Sequence, residues 1–223
     1  MKNNKPVFTT TDQTVVPLFS KVFYFKVLKD LDLKQILKIA QKQKLGDAGI
    51  HGPQDVDNMS LASLNKSVLR RKEFKFLKTR LLEEFNFFKN EVLRFNDTKF
   101  VITTSWLAKS LPGQSSNYHN HQNCYYSGIL YFQVNDTTGK ISFESWKNHR
   151  YHLIPSNYNI YNSSEYTFTP RDGLLILFPS EVTHKILKNE SSSERWSLAF
   201  NVNPTGKIGP KEGDSFINLN ILS

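Results

Sequence analysis

The chain has 223 residues, 39% hydrophobic and 13% aromatic with 17 Phe and 9 Tyr, enough for one packed core and against disorder except at the ends. Its net charge of +9 permits a nucleic-acid partner, but the lysines are spread out and only Arg70-Arg71-Lys72 is dense, which favours a solvated basic surface. The lone Cys124 excludes an intrachain disulfide, and no signal-type stretch or run of about 18 apolar residues is present, so a cytoplasmic protein without a membrane partner is expected.

Val15 to Phe19 and Val22 to Phe25 read as one or two strands. Leu31 to Lys44 carries Leu33, Ile36, Leu37 and Ile39-Ala40 at helical spacing. Gly46 to Asn58 has the glycine and proline punctuation of a loop. From Glu73 to Phe95 the apolar positions Phe74, Leu77, Leu81, Phe85, Phe88, Val92 and Leu93 recur at steps of mostly three and four, predicting one helix with a wide stripe that needs a sheet to cover.

From Phe100 the pattern changes to short runs rich in β-branched and aromatic residues. These are Val101–Leu107, Tyr126–Val134, Ile141–Trp146, Tyr166–Phe168, Leu174–Phe178, His184–Leu187 and Trp196–Val202, with turns at 135–139 and 171–173. Such a series implies a sandwich or jelly roll, a mainly β fold with flanking helices. No repeat or linker divides the chain, so residues 1–223 read as a single domain. Its N-terminal strands and supporting helices occupy 1–95, the β core 96–204 and a tail 205–223.

Within that core lies Asn117-Tyr118-His119-Asn120-His121. On a strand, residues two apart share a face, with Cα atoms roughly 6–7 Å apart, so both imidazoles reach one ion. About sixty residues on, Leu174 to Phe178 leads through Pro179-Ser180-Glu181 to His184, which is expected near the mouth of the sandwich. Imidazole suits iron, zinc, copper and nickel, and a small set of protein ligands with open positions marks catalytic use. His51, His149 and His152 have no such partners and read as surface residues; Cys124 reads as a packed turn residue.

Eleven residues after His184 comes Arg195-Trp196-Ser197. Arg195 and Ser197 share a strand face and together make a fork for a carboxylate. The bland alternative pairs Arg195 with Glu144, Glu181 or Glu194. The apolar run Leu198-Ala199-Phe200 argues instead for an inward charge that needs an anionic partner.

Taken together, His119-Asn120-His121 running into Ser127–Phe132, Gly173 to His184, and Arg195–Asn201 resemble the iron(II)- and 2-oxoglutarate-dependent dioxygenase superfamily. The resemblance extends roughly over 55–204 and is greatest to a little-characterised branch from bacteria and phages. It implies a double-stranded β-helix (the cupin-like jelly roll) with the N-terminal helices packed outside. His119, His121 and His184 would bind Fe(II), and no catalytic residue is implied beyond them. Arg195 and Ser197 would hold the distal carboxylate of 2-oxoglutarate, with Tyr131 as a further contact. Hydroxylase-type oxidation of a substrate by dioxygen, coupled to decarboxylation of 2-oxoglutarate, is the implied activity.

One departure stands out. Most of the superfamily carries an acid where this chain has His121. Three neutral imidazoles leave the metal its full charge, which suits a dianionic cosubstrate, and leave open the approach of an acid such as Glu144. Two other readings compete. Gly113 with His119 and His121, then Gly173, Pro179 and His184, copy much of the two cupin motifs, although the first motif's glutamate is missing near Tyr125 or Tyr126 and Glu181 stands in a glycine's place. A non-catalytic metal- or ligand-binding β-sandwich is the third. The expected mouth is Gly46–Ser60 and His149–Ser164, where Tyr151, Tyr158, Asn159, Tyr161 and Asn162 would suit peptides, sugars or nucleobases alike.

Overall fold

A computed structural model describes residue 15 and residues 18–47, 59–145 and 153–221. His51, His149, Tyr151 and His152 lie outside the described residues. The described chain is mostly β with few helices, and all pairing between its named strands is antiparallel. In chain order these are β1 (Tyr24–Val27), α1 (Leu33–Ala40), β2 (Leu45–Asp47), β3 (Leu61–Ser63), α2 (Lys75–Phe88) and β4 (Lys99–Ser110). Then follow β5 (Tyr126–Gln133), β6 (Ile141–Glu144), β7 (Glu165–Phe168), β8 (Leu174–Pro179), β9 (Thr183–Ile186), β10 (Arg195–Ile208) and β11 (Ile217–Leu219).

The large sheet runs β1-β8-β5-β10-β4-β3-β2, with β11 on the end of β10, and a small sheet runs β7-β6-β9. Alternation along the strands sorts the side chains into two cores. On β10, Trp196, Leu198, Phe200 and Val202 face the helices, as do Leu175 and Leu177 of β8. Leu174, Ile176 and Phe178 of β8 turn instead toward Ile141 and Phe143 of the small sheet. Burial on both faces explains why β8 is an unbroken apolar run.

The helices follow from local chemistry. Asp32 caps α1 by accepting the Gln35 amide at 3.0 Å. In α2 the buried residues Leu77, Leu81, Phe85 and Phe88 form the stripe against the large sheet. The predicted helix does not continue regularly to Phe95: residues 89–93 make one wide π turn, and Arg94 ends it in the left-handed region at φ 59°. The extra residue per turn rotates the stripe, so Val92 is exposed while Lys89 is buried with its Nζ on the carbonyls of Asn96 and Thr98. On the large sheet, Phe200 lies opposite Gly128, where an added Cβ would sit 2.2 Å from the ring; only glycine allows this crossing. Among the described residues, no helix is long and apolar enough to cross a membrane.

Candidate metal centre

The histidine segment is not a strand of its own but an extended run beside β9. The Ser116 amide donates to Ile186 O at 3.0 Å, His121 to Ser180 O at 2.9 Å, and His119 and His184 exchange amide-to-carbonyl bonds at 2.9 and 2.8 Å. A directly opposed antiparallel pair puts its side chains on the same side, and His121, two residues on, joins them. Ring centroids are 4.3 Å apart for His119–His184, 5.2 Å for His119–His121 and 5.1 Å for His121–His184. One nitrogen from each of the three lies within 4.8 Å of the others, the spacing of a group that could hold one metal ion. Among the described residues no carboxylate joins that group, Glu144 included.

Two tautomers are set by the backbone. His119 Nδ1 lies 2.9 Å from Asn117 O and His184 Nδ1 lies 3.0 Å from Val182 O. A carbonyl can only accept, so both Nδ1 atoms carry the proton and both Nε2 lone pairs are left for a metal. Burial, with His119 close by, pushes His121 down to about 4. His184 is held well below the usual histidine range, by burial first and then by the other two rings. Contrary to the expected place at the mouth, His184 is only 2% exposed, packed against Phe178 and Phe143. The small sheet covers it because Phe143 is its direct partner on β6.

Arg195 opens β10. Since the even-numbered side chains from Trp196 to Val202 take the helix face, Arg195, Ser197, Ala199 and Asn201 line a cavity of about 520 Å³ that the three histidines also line. The guanidinium is 2% exposed, with Cζ 5.1 Å from the centre of the Tyr131 ring. None of the expected acids neutralises it. Glu181 pairs with Lys21 at 2.5 Å, Glu194 pairs with Lys109 at 2.6 Å, and no described carboxylate reaches Arg195. Arg195 Nε and Tyr131 Oη are buried without a hydrogen-bond partner among the described residues. Burial pushes the Tyr131 phenol up, with Arg195 pulling the other way. Ser197 is the β10 partner of Tyr131 and lies on the cavity wall; Tyr131 itself backs the guanidinium and is not on that wall.

A buried guanidinium without an acidic partner among the described residues, and a cavity shared with three clustered imidazoles, fit a metal and an anionic ligand together. The expected mouth is only partly found: Met59 and Ser60 line the cavity, whereas Tyr158 and Tyr161 are exposed and do not. Sequence reasoning missed Lys66, Thr104, Trp106, Ser127 and Asn201, all on the wall. The Trp106 ring lies tilted beside His121, with centroids 5.4 Å apart. Asn201 could have been found by extending the two-residue step of Arg195 and Ser197 along the same strand.

Comparison with known proteins agrees with this chemistry. Residues 104–201, which contain all six residues singled out, match a family model described as "Putative 2OG-Fe(II) oxygenase". No curated protein matches the chain by sequence. Among solved structures, a prolyl-4-hydroxylase from Pseudomonas putida is similar at TM-score 0.56 and 15% identity, over 80% of this chain and 91% of that one. HygX from Streptomyces hygroscopicus, with nickel and 2-oxoglutarate bound, is similar at TM-score 0.57 and 10% identity, over 89% and 92%. The α-ketoglutarate-dependent epimerase SnoN of nogalamycin biosynthesis is similar at TM-score 0.60 and 11% identity, over 86% and 80%. At those identities the structures speak for the fold alone, and what points to an iron(II)- and 2-oxoglutarate-dependent oxygenase is the family match over residues 104–201.

Proposed function

We propose that the protein is a hydroxylase-type oxygenase in which His119, His121 and His184 hold iron(II) while Arg195 and Ser197, backed by Tyr131, hold the distal carboxylate of 2-oxoglutarate. The observation that carries this reading is the buried guanidinium without an acidic partner in the same cavity as three clustered imidazoles. Iron(II) with 2-oxoglutarate supplies, when bound, the oxidation of a substrate by dioxygen with decarboxylation of the cosubstrate. The chain's own part is positional. Asn117 and Val182 carbonyls aim two Nε2 lone pairs at one point. Phe143, Phe178 and Trp106 pack against the histidine rings, giving them a low-polarity setting. Arg195 then sets which end of a dicarboxylate points away from the metal.

The reading includes a double-stranded β-helix: β4, β10, β5 and β8 on one side, and residues 115–121 with β9, β6 and β7 on the other. It also includes a single domain over 1–223 with the three regions drawn from the sequence, and a cytoplasmic place suited to one free thiol. Cupin-type and non-catalytic readings leave the burial of Arg195 without a purpose. The test is anaerobic addition of iron(II) and then 2-oxoglutarate, watching for the weak visible charge-transfer band of the chelate. Bound iron without that band would sink the proposal. Arg195→Ala should weaken 2-oxoglutarate far more than iron; equal loss of both would make the arginine structural.

A further inference from the structure

Six residues of β10 separate Arg195 from Asn201, about 20 Å at Cα along a strand. A five-carbon dicarboxylate spans only about 5 Å between its end carbons. With the cosubstrate seated on Arg195, as proposed above, the Asn201 end of the cavity is left for something else.

That end has a directed hydrogen-bond chain. The Ser127 hydroxyl donates to Asn201 Oδ1 at 2.8 Å, so the 2.8 Å contact between Ser127 and Ser180 must be a donation from Ser180. Asn201 Nδ2 donates to Thr104 Oγ1 at 2.9 Å. The unspent member is the Thr104 proton, on the cavity wall. On the same wall is Lys66, whose carbonyl is fixed by the Ser105 amide at 2.8 Å. Its ammonium has no carboxylate partner among the described residues, and the walls strip part of its water, which pushes its pKa down. No described Asp or Glu lines the cavity. Two free donors, one of them charged, beside an acid-free wall call for an acceptor bearing negative charge.

We propose that this end binds an oxyanion of the substrate, a carboxylate or phosphate ester on a small molecule, with Lys66 and Thr104 donating to it and Trp106 packing against its apolar body. The inference rests on the oxygenase reading for the seat of the cosubstrate. The probes are benzoate and phenyl phosphate, with benzamide as the neutral comparison. Each is titrated into the full chain loaded anaerobically with iron(II) and 2-oxoglutarate, and both the visible band and ligand-observed NMR are followed. At least one anion should bind at least tenfold tighter than benzamide with the band retained, and which one does so tells carboxylate from phosphate. Lys66→Met should weaken that anion at least tenfold and Thr104→Val several-fold, with benzamide and 2-oxoglutarate affinities held within twofold. Anions that bind no better than benzamide, that ignore Lys66→Met, or that displace 2-oxoglutarate would overturn the proposal. So would a loss of 2-oxoglutarate in Lys66→Met as large as in Arg195→Ala, since the lysine would then belong to the cosubstrate. The NMR titration reads this subsite whether or not the band forms, so failure of the oxygenase reading registers separately.

Discussion

Replacing Arg195 by Met should make the metal-free, ligand-free protein more stable while abolishing its hold on 2-oxoglutarate. Arg195 is 2% exposed and has no carboxylate partner among the described residues, so its dehydration is only partly offset, by the Tyr131 ring, until an anion arrives. Replacing buried charges by well-packed apolar residues often stabilises by about 1–4 kcal/mol. The lost cation–π contact with Tyr131 gives back about 0.5–2 kcal/mol. At mid-range the net is a gain of about 1 kcal/mol, which for a chain of this size is a rise in Tm of roughly 2–4 °C. Removing one partner of a buried charge-assisted contact costs about 2–5 kcal/mol in binding, a loss of roughly thirtyfold to several thousandfold. Thermal unfolding of both forms, apo and then with metal and 2-oxoglutarate at about 100 Kd, measures both effects. With metal present throughout, wild type should gain about 2.7 kcal/mol from 2-oxoglutarate and Arg195→Met about 0.9 kcal/mol or less. A variant with a lowered apo Tm, or one stabilised by 2-oxoglutarate as much as wild type, would refute the idea that this charge is buried for a ligand.

His184→Ala should lose metal binding by at least tenfold in a competition titration while keeping its far-ultraviolet dichroism; unchanged metal affinity would remove His184 from the ligand set. Gly128→Ala places a Cβ 2.2 Å from the Phe200 ring and should cost about 1–3 kcal/mol in chemical denaturation, part of which Phe200→Leu recovers. Glu84, 3% exposed on α2, accepts from Tyr24 and lies 3.0 Å from Lys26 and 2.9 Å from Arg80. Burial acts to raise its pKa, but the Tyr24 hydroxyl, Arg80 and Lys26 together hold it below the usual carboxylate value. Its contribution is therefore present above the unfolded-state pKa of about 4.3 and is lost as pH falls through the folded value. Glu84→Gln should flatten the acid limb of a stability–pH curve in that window, and an unchanged limb would contradict the ion-pair account.

Strands that are buried on at least one face announced themselves in the sequence. β8 did so by an unbroken apolar run, and β5 and β10 by β-branched and aromatic clusters. The three-residue strands β2, β3 and β11 carry no period to read: Leu45–Asp47 overlaps the predicted loop at Gly46, yet pairs with Leu61–Ser63 because β4 offers that edge. Arg195 and Ser197 were legible since an arginine inside an apolar strand is costly whatever the fold. Lys66 was not, because a lysine in a polar loop carries no sign of a cavity until the bridge between Ser67 and Ser105 brings its neighbour onto the large sheet beside Thr104, where the residue stays exposed.

The pairing of His119 with His184 joins the closure of the small sheet and the assembly of the candidate metal site into one event. The bonds from Ser116 to Ile186 and from His121 to Ser180 bracket that pair and fix its register from both sides. A slip of one residue would turn His119 and His121 away from His184 and bring Tyr118 and Asn120 inward instead. The register is thus part of the chemistry. The i, i+2 spacing of the first two histidines has meaning only because a third, more than sixty residues later, is their cross-strand neighbour. It also explains why the deepest member, His184, is the one with the least sequence context to mark it. Its place is set by Phe143 on one side and His119 on the other, two residues contributed by different strands.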